Sequence, residues 1–195
     1  MRSPDHAERN DHSINGENLV RNETDFSNLA AEEEELEDVD VEDDDDLNLL
    51  VAMAELDAEA AEAYRIAAEY ADDPLLRAKL EEFRADHLRH VETFNRLLTN
   101  AGVAEVPADL DEDSSAVTML AASMGSMGVR AALMAMIANE QLTTAMYEAA
   151  MELPFEDEVA RILEVHMADE QRHLDWLSEQ ETRAGNEELD AEAGG

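Results

Sequence analysis

The chain has 195 residues, with 50 acidic residues against 12 Arg and one Lys, a net charge of −37 and no Cys. Such a charge excludes nucleic-acid binding through phosphate contacts, which needs Lys and Arg. The missing Cys excludes disulfides, thiolate metal sites and Cys nucleophiles, so any metal must be held by oxygen and imidazole.

Seven Gly and four Pro, among many Ala, Leu, Met and Glu, favour helix over sheet. Residues 1–46 read as a disordered acidic N-terminal tail, ending in the runs Glu32–Glu35 and Glu42–Asp46. Such a segment buries too little apolar area to offset its ordering entropy. Residues 1–48 hold 18 acids and 3 Arg, a net of −15, which leaves −22 on the other 147 residues. The part expected to fold is therefore acidic in its own right. Its self-repulsion should weaken, and its stability rise, as salt is added. Met1–Asn10 has no apolar core of a secretory signal. The longest apolar run, Ala131–Ala138, is too short to span a membrane. A cytoplasmic location is expected by default.

Four apolar stripes at helical spacing follow, predicting helices at about 47–71, 74–100, 129–152 and 155–182. Asp72-Asp73-Pro74 separates the first two, and Leu153-Pro154-Phe155 the last two; Pro suits a helix start. Both breaks are short, so each pair is an antiparallel hairpin. The link between hairpins is long, from about Asn100 to Gly128, and a small apolar stretch predicts a short helix near 114–124. The expected fold is all-α: an antiparallel four-helix bundle (47–183) of two repeated hairpins joined by a long crossover. Residues 184–195 read as a polar C-terminal tail. Two-helix repeats tend to leave an apolar side open, so a homodimer is expected.

The stripes carry polar residues where a seam should be apolar. Asp57 and Tyr64 stand seven apart, and His87 and His90 three apart. Adding 83 to each position gives Glu140, Tyr147, Glu170 and His173. The match is close around the last pair: Ala85-Asp86-His87-Leu88-Arg89-His90 against Ala168-Asp169-Glu170-Gln171-Arg172-His173. Burying Asp57, His87, His90, Glu140, Glu170 and His173 without partners costs several kcal/mol for each charge. One divalent cation, or two, removes that cost. Three carboxylates and three imidazoles suit iron, manganese or zinc better than calcium. A lone seam His is more often a hydrogen-bonded core residue, and His166 is read that way. Tyr64 and Tyr147 are core aromatics whose hydroxyls need partners, a ligand carboxylate being the natural one.

This constellation resembles the ferritin-like superfamily, which includes rubrerythrins and bacterioferritins. Its pattern is Glu followed by Tyr seven residues later, then Glu-x-x-His on the next helix, given twice. The second half matches with Glu140, Tyr147, Glu170 and His173. The first half departs at Asp57 and His87, which replace Glu. The resemblance implies a di-iron-type site in which Glu170 bridges two ions. It also implies Fe(II) oxidation, or reduction of dioxygen or peroxide, with Tyr64 and Tyr147 as catalytic residues. His87 cannot bridge as Glu does, because neutral imidazole offers one lone pair, so the two half-sites should differ. A non-catalytic metal-sequestering or stress-response bundle, and an acidic-tailed scaffold without metal, are the alternatives.

Overall fold

The computed structural model describes residues 44–108 and 127–193. Most of the expected N-terminal tail, the expected short helix near 114–124 and the last two residues lie outside that range. Four helices account for the fold: α1 (Asp44–Tyr70), α2 (Pro74–Asn100), α3 (Val129–Met151) and α4 (Asp157–Ala193). There is no strand among the described residues, and no described helix is long and apolar enough to cross a membrane.

Local chemistry sets the helix ends. Asp44–Asp46 occupy the first turn of α1, where acids complement the helix dipole. The helix therefore begins inside the segment expected to be tail. Asp73 caps α2 by accepting from the Leu75 amide at 2.9 Å, and Pro74 follows at the first helical position. Arg77, one turn into α2, donates to the Ala68 carbonyl at 3.2 Å and the Ala71 carbonyl at 2.6 Å. A cation thus closes the end of α1, where the dipole favours it. At the far end of α2, Gly102 takes φ +76°. This lets its amide reach Thr99 O and the Val103 amide reach Leu98 O, a Schellman stop. Asn95 then clamps the departing chain, bonding both the amide and the carbonyl of Val106.

The last helix, expected to end near 182, continues to Ala193. Arg130 at the start of α3 bonds Glu181 at 2.8 Å and lies against Gly185, and Ala184 packs on the core. Extending an existing helix avoids the nucleation cost, so the strong formers in Glu-Glu-Leu-Asp-Ala-Glu-Ala suffice without an apolar stripe.

Cross-helix bonds fix the relative directions. Tyr64 on α1 meets Glu140 on α3, and Tyr147 meets Asp57, so α1 and α3 run antiparallel. Asp86 on α2 meets His173 on α4, and Asp169 meets His90, so those two are antiparallel as well. With antiparallel hairpins, α2 and α3 must then point the same way. The chain has to return the length of the bundle between them, about 40 Å for a 27-residue helix, which is why the crossover is long. The core divides into two apolar layers. One contains Leu50, Phe94, Leu97, Ala150 and Leu163, and the other Ala67, Leu80, Phe83, Met136 and Leu177.

Because Arg77 bonds the Ala68 carbonyl of α1 and the Ala71 carbonyl just beyond its end, Arg77→Ala should destabilise the fold by about 1–2 kcal/mol. Urea unfolding followed by circular dichroism measures it. A change within error would mean that solvent caps α1 equally well.

Candidate metal centre

Between the two apolar layers lies one polar layer. Asp57 comes from α1, His87 and His90 from α2, Glu140 from α3, and Glu170 and His173 from α4. All six are fully buried. They fall into two overlapping groups, Asp57–His87–His90–Glu170 and His87–Glu140–Glu170–His173. Within each, every residue offers a ligand-type atom within 4.8 Å of the others. His87 and Glu170 belong to both groups. The six residues singled out by the 83-residue repeat thus converge.

His87 Nδ1 lies 2.8 Å from Asp57 Oδ1, and its Nε2 3.3 Å from Glu140 Oε1. His90 Nδ1 lies 3.1 Å from the same Asp57 oxygen, and His173 Nδ1 lies 3.6 Å from Glu140 Oε2. The tyrosines cross over between hairpins. Tyr64 rises from one apolar layer to donate to Glu140 Oε1 at 2.6 Å, while Tyr147 descends from the other to donate to Asp57 Oδ2 at 2.7 Å. Each hydroxyl holds one oxygen of a carboxylate and leaves the other for a different partner. His166 is a hydrogen-bonded core residue, as expected: its Nδ1 lies 3.2 Å from the Tyr147 hydroxyl and its ring stacks on His90 at 3.9 Å. With the Tyr147 proton committed to Asp57, His166 donates.

The outer nitrogens of His90 and His173 reveal residues that the seam pattern missed. Asp169 Oδ2 lies 3.3 Å from His90 Nε2, and Asp86 Oδ2 lies 3.1 Å from His173 Nε2. Arg89 bonds Asp86 at 2.8 Å and Asp169 at 2.9 Å, and Arg172 bonds both as well. A carboxylate accepting from Nε2–H keeps the proton on that nitrogen, so in the neutral imidazole it is Nδ1 that carries the inward lone pair. The signal was present in the matched hexapeptides, since Asp86 and Asp169, and Arg89 and Arg172, are themselves repeat equivalents.

The protonation states follow from this packing. Burial pushes Asp57 and Glu140 up, but the facing imidazoles outweigh it and hold both below the usual carboxylate range: His90 and His87 act on Asp57, His87 and His173 on Glu140. Burial pushes His87 down, yet Glu170, Glu140 and Asp57 lift it well above its ordinary value. Against the same burial, Asp57, Asp169 and Glu170 push His90 up to about 10. His166 is held well below its ordinary value by burial and the neighbouring His90 cation. Burial and the adjacent carboxylates raise both tyrosines, keeping them neutral phenols. Glu170 is the exception among the acids. Burial pushes it up to about 7, offset only in part by His87 and His90 and reinforced by Glu140 and Asp57.

Several inward-facing atoms make no hydrogen bond to any described residue: both oxygens of Glu170, Oε2 of Glu140 and Nδ1 of His173. Glu170 Oε1 lies 3.3 Å from His90 Nδ1 without hydrogen-bond geometry. An unsatisfied buried polar atom costs about 1–3 kcal/mol, so concentrating four at one point is unfavourable. Their chemistry, carboxylate oxygen and imidazole nitrogen, fits a borderline transition ion.

Without metal, the raised Glu170 value makes the native state favour the protonated acid, so stability falls as pH rises from 4.5 through about 7. At roughly 1.4 kcal/mol per pH unit, that interval corresponds to about 3 kcal/mol. Glu170→Gln keeps the shape and removes the titration. The metal-free variant should match wild type near about pH 5 and exceed it by about 3 kcal/mol near about pH 8. Urea unfolding in chelator at both pH values measures this, and equal stability at both would exclude a neutral Glu170.

No family model matches the chain, and no curated protein or solved structure gives a significant match. The chemistry of this layer therefore rests on the positions of its own side chains.

Proposed function

We propose that the polar layer is a ferritin-like centre for two metal ions, iron first, that oxidises Fe(II) with dioxygen or peroxide as electron acceptor. The observation carrying this reading is the set of buried atoms without a hydrogen bond on Glu170, Glu140 and His173, three residues whose ligand-type atoms gather with that of His87 within 4.8 Å of one another. The repeat, which supplies the same residue types from each hairpin, supports it further.

The residues divide the work. Glu140 and His173 would hold one ion, and Asp57 and His90 the other. Glu170 belongs to both groups and would be shared. A neutral His87 has one lone pair, so it would serve one ion and donate its remaining N–H to the carboxylate of the opposite half. The bound ions would supply one-electron redox chemistry, with manganese or zinc as non-oxidising competitors for the same donors. Asp86 and Asp169 hold the imidazoles in the ligating tautomer. Tyr64 and Tyr147 keep a proton at Oη, bonded to Glu140 and Asp57, while the charge of the layer changes. The apolar layers on either side exclude bulk water and favour a small neutral oxidant.

A second reading, a closed polar layer without metal, is favoured by one observation. Cationic His87 faces Asp57 through Nδ1 and Glu140 through Nε2, and this offsets part of the negative charge.

Anaerobic Fe(II) titration separates the two. Trp176, the only tryptophan, packs on Phe83 at 5.4 Å, and Phe83 packs on His173 at 4.2 Å. Its fluorescence should be quenched as the centre fills. Two ions per chain with unequal affinities are expected, because the first hairpin brings one carboxylate fewer. Glu170→Ala should lose both, and His87→Glu should bring the affinities together. Asp86→Asn and Asp169→Asn should each weaken binding by about 10–100-fold. Binding should tighten as pH rises through neutrality, since protons must leave His87, His90 and Glu170. Oxygen uptake on adding air then reports oxidation. Absence of stoichiometric binding would support the metal-free layer, and binding without oxygen uptake would support sequestration.

A further inference from the structure

One helix does not share the surface character of the rest. From Ala131 to Tyr147, α3 carries a single charged residue, Glu140, and that side chain is buried in the polar layer. The outward face of α3 is therefore free of charge for more than four turns, on a chain whose net charge is −37. By contrast, α1 shows Glu55, Glu59 and Glu69 to solvent, and α4 shows Glu164, Asp175 and Glu179. Met134 and Leu142 project from the α3 face, each 56% exposed. Ala131, Ala138 and Ala145 complete the row at steps of three and four, the spacing of one helical stripe.

This stripe is symmetric in a specific sense. Ala138 lies four residues from both Met134 and Leu142, and seven from both Ala131 and Ala145. Reversing the helix about Ala138 places each large residue on a large one and each small residue on a small one. Self-complementarity under a twofold rotation is the requirement for an isologous interface. Small residues at the centre permit close approach of the two axes. Charge selects the same partner, because two copies this acidic repel wherever they meet through charged faces and least where both are neutral.

We propose that the exposed face of α3 is a docking surface for a second copy of this chain, with the two α3 helices antiparallel about a twofold axis at Ala138. Met134 of each copy then packs against Leu142 of the other. A stripe of 15 residues is about 22 Å long and about 10 Å wide, so roughly 450 Å² is buried in total, below the usual range for a stable dimer. The association is therefore reversible and favoured by concentration and salt, since salt screens the repulsion of the remaining surface.

The absence of native Cys makes the test direct. Ala138→Cys places one thiol at the axis, and Gln171→Cys places one at an exposed site on α4 as control. Under mild oxidation, Ala138→Cys should give a covalent dimer and Gln171→Cys should remain a monomer. Sedimentation velocity of the unmodified protein should show a dimer that increases from low to molar KCl. Met134→Lys or Leu142→Asp alone should weaken it at least tenfold. The double variant Met134→Lys/Leu142→Asp should restore it, because positions 134 and 142 face each other across the axis. All four substitutions are at exposed positions, and circular dichroism confirms that the fold is kept. A monomer at every concentration and salt, equal crosslinking of the two Cys variants, or no rescue by the double variant would overturn the proposal. So would a thiol at 138 that resists maleimide in a monomer, because other residues of the same chain would then cover the face. None of these readouts depends on metal.

Discussion

The structure depends on one costly arrangement: three carboxylates and four imidazoles buried within a single layer of a helical bundle. Each charge taken from water must find a counter-charge or a hydrogen bond inside, and the surrounding features can be traced to that demand. Asp57 and Glu140 stay ionised because His87 faces both. His90 and His173 keep their orientation because Asp169 and Asp86 hold their outer nitrogens. Those aspartates are in turn matched by Arg89 and Arg172. Charge therefore alternates outward from the centre, from carboxylate to imidazole to carboxylate to guanidinium. The last member of each series is partly exposed at the α2–α4 surface, where water completes its solvation. Glu170 lies near His87 and His90 yet accepts no hydrogen bond from either, and it is also the acid that burial drives toward neutrality.

The apolar layers have a role beyond stability. Phe83 lies against His173 and Phe94 against His166, so the rings of the polar layer are gripped from both sides. At the position equivalent to Phe83 in the other hairpin stands His166, which stacks on His90 and reaches the Tyr147 hydroxyl. The two halves thus share a backbone plan and differ in chemistry. One half backs its imidazole with a hydrocarbon ring, the other with a polar ring bonded to a phenol. An asymmetric environment around two otherwise equivalent positions is a means of making them behave differently without changing the fold.

Much of this was legible in the sequence. Helical periodicity marked the four helices, and their seams passed through the six converging residues, because a polar residue at a seam position has nowhere to point but inward. The 83-residue repeat supplied the pairing between hairpins. Periodicity identifies a face but not the reach of a side chain. That is why Asp86, Asp169, Arg89 and Arg172 were not recognised: they lie beside the seam, and their role appears only when α2 and α4 face each other. The apolar stripe stops short of the end of α4, because Arg130 and Glu181 anchor the helix before its polar extension begins.

The crossed tyrosine bonds have a consequence for how the molecule is put together. Tyr64 in the first hairpin completes a carboxylate of the second, and Tyr147 completes one of the first. Each hairpin satisfies only part of its own buried groups, and the other supplies a tyrosine hydroxyl to its acid. A separated hairpin is thus half a folding unit, whose natural complement is another hairpin of the same design. Two identical hairpins, related by the rotation that here relates unequal ones, would place a tyrosine on each acid and four inward ligands at the centre. An architecture of this kind is within reach of a single short gene that pairs with its own product. Fusion through a long connecting segment would then free each half to carry its own residues, as where Asp57 stands opposite Glu140 and His87 opposite Glu170 at the 83-residue offset.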